Sequence, residues 1–386
     1  MSLPKCFIAF LLTTHLMTIH AQAQARFRLS GTAPASFEGK MIYIATIDYS
    51  DLKQNFKDST RIEQGRFVFT GRLPQTALLA TLHVPRPGFG IHQFFLENRD
   101  ITVTIHATGA RNTLDSCTFS NAPVNEQFLL LKKKQKPVDN LIVGQYQKMD
   151  TTMAKADEAG KQKMNDELNA LHRKNKQVTV EFIKENPASY LSLYQLCYFI
   201  ASTKMEYADS MHHLLTGLSK DLQQQPEATA LLKRIQQVKA TSIGQPALWA
   251  IIPTDQNKPL SLSSYKGKYV LLDFWASWCG PCLQNLPAVK ELYTTYRKEN
   301  FDVIGVSLDE DRDRWTDAIK KHNLPWVQAS DLKGWKNAVA VLYDIRSIPQ
   351  YILVDPAGKI IANANDMESI KQQLAKSLKQ TATLKQ

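Results

Sequence analysis

Two cysteines separated by two residues, Cys279 and Cys282, have the clearest potential for chemistry in this sequence. A close pair of thiols can exchange electrons with a disulfide bond, because one thiolate attacks a sulfur atom and the other resolves the mixed disulfide. The same spacing also occurs in inert structural disulfides and in zinc sites, and zinc needs further ligands such as a second cysteine pair. Cys117 and Cys197 are solitary in the sequence, which favours a redox-active dithiol over zinc.

The cysteine pair lies between a predicted strand and a predicted helix. Residues 269–275 form a nearly continuous apolar run, which is typical of a strand buried on both faces of a sheet. The pattern that follows predicts a helix from the cysteine motif to about Lys298. Unpaired amide groups and the positive dipole end of a helix N-terminus favour a thiolate, so we expect a lowered pKa for Cys279. Cys279 is therefore the expected nucleophile and Cys282 the expected resolving thiol, while Pro281 suits the first helical turn.

Strand and helix patterns alternate through the rest of this C-terminal region. They predict a strand at 302–308, helices at 312–322 and 335–343, hairpin strands at 350–354 and 359–362, and a final helix at 367–379. Such alternation is typical of an α/β layer fold with a partly parallel sheet. The acidic run from Asp309 to Asp313 could suggest a cation site, but its position favours an exposed helix start.

The preceding segments differ in composition. Residues 1–23 have the pattern of a cleaved signal peptide, which is one lysine, an apolar stretch and a final Ala-Gln-Ala. Residues 24–120 contain short alternating runs that predict an all-β domain, either a sandwich or a small barrel. Residues 121–240 are rich in helix-forming side chains, with helices predicted at 150–185, 188–201 and 227–239. The predicted fold class is multi-domain, with an N-terminal all-β domain, a helical middle region and a C-terminal α/β domain over 241–386.

Composition narrows the function classes further. The chain has 386 residues and a formal net charge of +11, and the positive excess is spread along its length. A protein that binds nucleic acid more often concentrates that charge on one face, so we expect no nucleic-acid partner. With five cysteines, the chain is too poor in cysteine to be a small disulfide scaffold. We expect no metal, because a zinc site would need further ligands, and we expect no cofactor.

The segment from Asp273 to Cys282, Asp-Phe-Trp-Ala-Ser-Trp-Cys-Gly-Pro-Cys, resembles the active-site segment of thioredoxins. Pro287 matches the proline of the thioredoxin active-site helix, and Ser347-Ile348-Pro349 matches the loop that carries a cis-proline. The residues around this core resemble the secreted TlpA/ResA-like thiol-disulfide oxidoreductases, although Asn285 stands where some members have glutamate. This resemblance implies a thioredoxin-like fold for the C-terminal domain. Residues 26–110 resemble the β domain that precedes such modules in Bacteroidetes envelope proteins.

The resemblance also implies roles for individual residues. Cys279 would attack the substrate disulfide and Cys282 would resolve the mixed disulfide, while Asp273 beneath Cys282 would relay its proton. Substrate-binding residues implied by the family are Trp278, Gly280, Pro281, Ile348 and Pro349. Of these, Pro349 in cis would present the backbone of its neighbour to an extended substrate strand, and Trp278 would form part of the rim.

The function implied by the resemblance is reduction of disulfide bonds in cell-envelope proteins, with electrons from a membrane or thioredoxin-type donor. The predicted signal peptide places the protein in the periplasm or cell envelope. Two alternatives stay open at this point. The dithiol could act as a thiol oxidant or disulfide isomerase, or the thioredoxin fold could be a scaffold in a partner-binding envelope protein.

Overall fold

The computed structural model describes residues 26–47, 56–85, 91–106, 117–202 and 208–383. The predicted signal peptide at 1–23 lies outside these residues. Within the described part of the chain, no helix combines the length and the apolar character needed to cross a membrane.

The N-terminal part is a β-sandwich. Its strands are β1 (Phe27–Thr32), β2 (Met41–Ile47), β3 (Lys57–Arg61), β4 (Arg66–Gly71), β5 (Ala77–His83), β6 (Ile91–Glu97), β7 (Asp100–Ile105) and β8 (Cys117–Ser120). One sheet has the order β4-β1-β7-β8, the other has the order β3-β2-β5-β6, and their inward side chains share one apolar core. The sequence patterns did not indicate β3, because its residues Lys-Asp-Ser-Thr-Arg offer no apolar face.

Helices follow the sandwich. They are α1 (Pro123–Thr152), α2 (Glu158–Glu185), α3 (Tyr190–Ser202), α4 (Ala208–Gly217), α5 (Lys220–Gln223) and α6 (Pro226–Ala240). The helix predicted at 150–185 is interrupted, because α1 ends at Thr152 and a short 3-10 turn precedes α2. The described chain forms two compact units, and the second of these includes most of α3 together with α4, α5, α6 and everything that follows. The domain boundary placed at residue 241 from the sequence stays a prediction.

The C-terminal part is an α/β sheet with helices. Its elements are β9 (Ile251–Pro253), β10 (Pro259–Ser261), β11 (Tyr269–Trp275), α7 (Gly280–Tyr296), β12 (Phe301–Ser307), α8 (Arg312–Lys321), β13 (Val327–Ala329), α9 (Ala338–Leu342), β14 (Gln350–Val354), β15 (Ile360–Ala364) and α10 (Met367–Thr383). The main sheet has the order β13-β12-β11-β14-β15, in which β11, β12 and β13 are parallel and β14 and β15 are antiparallel to their neighbours. The predicted multi-domain fold class is confirmed.

The helix predicted at 335–343 is shorter than expected. A 3-10 turn covers Gly334–Lys336, and α9 begins only after Asn337. The Asn337 side chain accepts hydrogen bonds from the amides of Val339 and Ala340, which makes it the N-cap of α9. A capping asparagine has non-helical backbone angles, so the chain cannot continue as one helix through this position.

Helix α6 packs against the end of α9. The Arg234 guanidinium lies 3.2 Å from the carboxylate of Asp344, which also accepts a 2.8 Å hydrogen bond from Arg346. The side-chain amide of Gln237 donates to the carbonyls of Val341 and Leu342 at the C-terminus of α9. Orphan carbonyl groups at a helix end need such donors. Helix α6 is therefore a structural part of the C-terminal unit.

Candidate active site

Strand β11 and helix α7 position the cysteine pair. All seven residues of β11 are buried, as the apolar run predicts, and Cys279 is the N-cap of α7. The Cys279 sulfur accepts a hydrogen bond from the amide of Cys282 at 3.2 Å, and the two sulfur atoms are joined in a disulfide. The amide and the positive end of the α7 dipole both stabilise negative charge on Cys279 when the disulfide is open.

Exposed residues surround the buried disulfide. Cys279 and Cys282 are only 5% and 2% exposed, whereas Trp278, Gly280 and Pro281 between and beside them face solvent. The disulfide therefore lies beneath a rim of exposed residues.

The proline loop lies next to the dithiol. The peptide bond between Ile348 and Pro349 is cis, and strand β14 begins directly after it. In the antiparallel pairing of β14 with β11, Gln350 lies opposite Phe274. This register places the half-buried Ile348 and Pro349 at the end of β11 that leads into the cysteine motif.

Asp273 is a buried acid within β11. Its side chain is 2% exposed, and burial raises the pKa of the carboxyl group from its usual range to about 7. An acid with a pKa in this range is partly protonated near neutral pH. It can therefore accept and release a proton during a reaction under physiological conditions.

Cross-strand pairing shows which face of the sheet Asp273 occupies. Asp273 lies directly opposite Tyr351 in β14, so both side chains project to the same face. Burial and the neighbouring Asp273 raise the pKa of Tyr351, while a hydrogen bond with Asn285 of α7 lowers it. Because Tyr351 reaches α7, Asp273 also lies on the face that α7 covers, beneath the helix that carries Cys282.

A second buried acid holds the loop before the cysteines. The Asp309 carboxylate accepts hydrogen bonds from the backbone amide of Ser277 at 2.9 Å, from the Ser277 hydroxyl and from the Ser307 hydroxyl at 2.7 Å. Asp309 is 1% exposed, so the expectation of an exposed helix start is wrong for this residue. It holds for Asp311, which caps α8, and for Asp313.

The same polar network extends to the turn after β13. The carbonyl of Ser307 accepts hydrogen bonds from the Ser330 hydroxyl at 2.9 Å and from the side-chain amide of Asn337 at 3.3 Å. Sequence reasoning missed Asp309, Ser307 and Asn337 as site residues. One signal was available in the sequence. Asp309 stands two residues after the buried strand β12, just as Ser277 stands two residues after β11.

No cluster of three or more metal-ligating side chains occurs among the residues that the structure describes.

Two family models match separate parts of the chain. Residues 236–378 match the Redoxin family model, and residues 27–128 match the model of a domain of unknown function (DUF4369). The Redoxin match contains the dithiol, the proline loop, Asp273 and Asp309.

Curated relatives match the same C-terminal region. The thiol-disulfide oxidoreductase ResA of Bacillus thuringiensis subsp. konkukian (strain 97-27) is 31% identical over 137 residues, which are 36% of this chain and 77% of the relative. ResA of Bacillus subtilis (strain 168) is 27% identical over 125 residues, which are 32% of this chain and 67% of the relative. A solved structure of a thiol-disulfide oxidoreductase from Bacteroides fragilis NCTC 9343 shares 37% identity over 34% of this chain and 98% of that chain, with a TM-score of 0.33.

Replacing Asp273 by asparagine is expected to stabilise the oxidised protein above pH 7. The unfolded carboxyl ionises near pH 4, whereas the folded one stays protonated until about pH 7. The folded state therefore binds more protons in this window, and wild-type stability falls as pH rises from about 4 to about 7. Since asparagine cannot ionise, thermal unfolding at pH 8 should show Asp273→Asn to be more stable by up to about 4 kcal/mol, with little difference at pH 4.

The exposed Asp313 provides the control for this prediction, because Asp313→Asn makes the same substitution on the surface of the protein. A stability difference between Asp273→Asn and wild type that is the same at pH 4 and pH 8 would contradict the assigned pKa.

Replacing Asp309 by asparagine is expected to destabilise the protein by about 1–3 kcal/mol and to slow turnover. Asparagine offers one acceptor oxygen where the carboxylate offers two, so the Ser277 and Ser307 groups that donate to Asp309 lose an acceptor and the charge that strengthens their hydrogen bonds. Thermal unfolding and a disulfide-reduction assay would measure both effects, again with Asp313→Asn as the control. Wild-type stability in the Asp309→Asn protein would show that the network does not hold the loop.

Proposed function

The chain belongs to the family of ResA-like thiol-disulfide oxidoreductases, and from this membership we propose that it reduces disulfide bonds of cell-envelope proteins through Cys279 and Cys282. The observation that carries the proposal is a buried disulfide at the start of α7, with exposed residues around it and a titratable acid beneath it.

The first step of the proposed reaction breaks the substrate disulfide. In the reduced enzyme, the Cys279 thiolate attacks one sulfur of the substrate, and the second substrate sulfur leaves as a thiolate that takes up a proton. The product is a mixed disulfide between Cys279 and the substrate. The N-terminus of α7 supports this step, because it stabilises the attacking thiolate.

The second step releases the substrate. Asp273 accepts the proton of the Cys282 thiol, and the resulting thiolate attacks the Cys279 sulfur. The substrate cysteine that was bonded to Cys279 leaves as a thiolate and is protonated, and the enzyme ends as the Cys279–Cys282 disulfide. Two electrons have then passed from the enzyme to the substrate, and an external donor must return them.

The substrate would bind across the exposed rim as an extended segment. The backbone at Ile348, held by the cis peptide to Pro349, would pair with the substrate main chain, as added strands do in other recognition sites. Trp278, Gly280 and Pro281 would contact the side chains next to the substrate disulfide.

The proposed location is the periplasm or cell envelope, and it depends on the signal-peptide pattern of residues 1–23. In that compartment the dithiol would need a membrane or thioredoxin-type electron donor. The β-sandwich and the helical region hold none of the proposed catalytic residues, so we propose that they select or position partners.

Variants of the two cysteines would test the reaction order. We expect Cys279→Ser to abolish reduction of insulin disulfides, because the nucleophile is lost, and Cys282→Ser to accumulate mixed disulfides, because resolution is lost. Activity assays and non-reducing gels would show these outcomes.

Cys197→Ser is the matched control for the cysteine variants. Burial raises the pKa of the Cys197 thiol to about 12, so this thiol stays protonated and unreactive at neutral pH, and its removal should not change activity. Full activity of Cys279→Ser would refute the proposed reaction.

The redox potential would test the direction of electron transfer. The Gly-Pro dipeptide between the cysteines resembles that of reductants, so we expect a potential nearer to about −270 mV than to about −120 mV. Equilibration of the Cys279–Cys282 couple against glutathione buffers would measure it. A value above about −180 mV would instead support a thiol oxidant or isomerase, and a couple that does not cycle would support a scaffold role.

A further inference from the structure

Two exposed indole rings lie side by side at the rim of the site. Trp278 is 55% exposed and Trp335 is 47% exposed, and their ring centroids are 6.3 Å apart with an angle of 55° between the planes. Adjacent exposed aromatic side chains are costly in water and commonly mark a surface that binds a partner. The proposed function gives a role in substrate binding to Trp278 and none to Trp335.

The position of the two indole rings indicates what binds to them. Trp278 directly precedes Cys279, so any segment whose disulfide reacts with Cys279 must approach Trp278. Trp335 adjoins Trp278, although it is 57 positions later in the chain. The two rings therefore extend the surface that the reacting segment contacts, in the direction of the turn after β13.

Both rings are carried by loops that the buried network around Ser307 holds. The Ser307 hydroxyl binds Asp309, which in turn binds Ser277 next to Trp278. The Ser307 carbonyl accepts from Asn337, which follows the Gly334–Lys336 turn that carries Trp335. Two loops anchored to one buried residue are held in a fixed relation at the backbone that carries the rings, and this lowers the entropic cost of binding.

We infer that Trp278 and Trp335 form an aromatic platform for a bulky apolar side chain next to the reacting disulfide of the substrate, and that Trp335 determines substrate specificity. This inference rests on the proposed function, which supplies the disulfide substrate. The substrates that fit this platform are extended polypeptide segments with an aromatic or large aliphatic residue beside a cystine. A favourable contact with one additional aromatic ring changes binding by about threefold to tenfold.

Two synthetic peptides would test the inference with the full-length protein. Each is closed by one disulfide, and they differ only in having phenylalanine or serine beside the second cysteine. We expect the reduced wild-type protein to favour the phenylalanine peptide by about threefold to tenfold in kcat/KM, mainly through a lower KM. Trp335→Ala should lose this preference, and Trp335→Phe should restore part of it.

Ile243→Ala is the matched control. Ile243 is 64% exposed and precedes Gly244, whose amide bonds to Ile360 at the start of β15, at the end of the sheet opposite to the dithiol. This variant should keep the wild-type preference for the phenylalanine peptide.

The outcomes separate the inference from the proposed function. Equal rates for both peptides with the wild-type protein, or an unchanged preference in Trp335→Ala, would overturn the platform while leaving disulfide reduction intact. The wild-type comparison tests the platform even if Trp335→Ala does not fold. A wild-type protein that reduces neither peptide, nor insulin, would instead refute the proposed function.

Discussion

The hydrogen-bond register of β11 with β12 and β14 is the constraint on which the whole candidate site depends. Trp275, the last residue of β11, lies opposite Ser307, and Phe274 lies opposite Gln350. These pairings bring the cysteine motif, the buried network and the proline loop to one edge of the sheet. A shift of one residue would turn Asp273 to the opposite face and remove it from beneath α7.

Burial of Asp273 connects the stability of the fold to its chemistry. A buried carboxyl group is unfavourable when ionised, and the raised pKa expresses that free-energy difference. The same shift makes the group useful as a proton acceptor near neutral pH. The strand therefore retains a residue that weakens the folded state above neutral pH, which is the kind of local conflict expected at a functional position.

Local sequence determines what could be predicted here. The dithiol, its strand and its helix are contiguous in sequence, so their arrangement follows from patterns within about 30 residues. The fold class also follows from local patterns, read segment by segment along the chain. Asp309 was wrongly predicted to be exposed, because local sequence does not show its contact with Ser277, which is 32 positions away. The contact between Trp335 and Trp278 likewise depends on the tertiary packing of two loops. The N-cap Asn337, which makes α9 shorter than predicted, stands within a sequence pattern that is typical of one continuous helix.

The attachment of α6 to the C-terminal unit has a consequence for modular exchange. Arg234 and Gln237 bind the segment that leads into the proline loop, although both precede the Redoxin-like strands in sequence. A chimaera that joins this oxidoreductase module to a different N-terminal partner should therefore be cut upstream of α3, so that the helices of the second compact unit stay with α6. Such a graft keeps the buried carboxylate of Asp344 paired with Arg234.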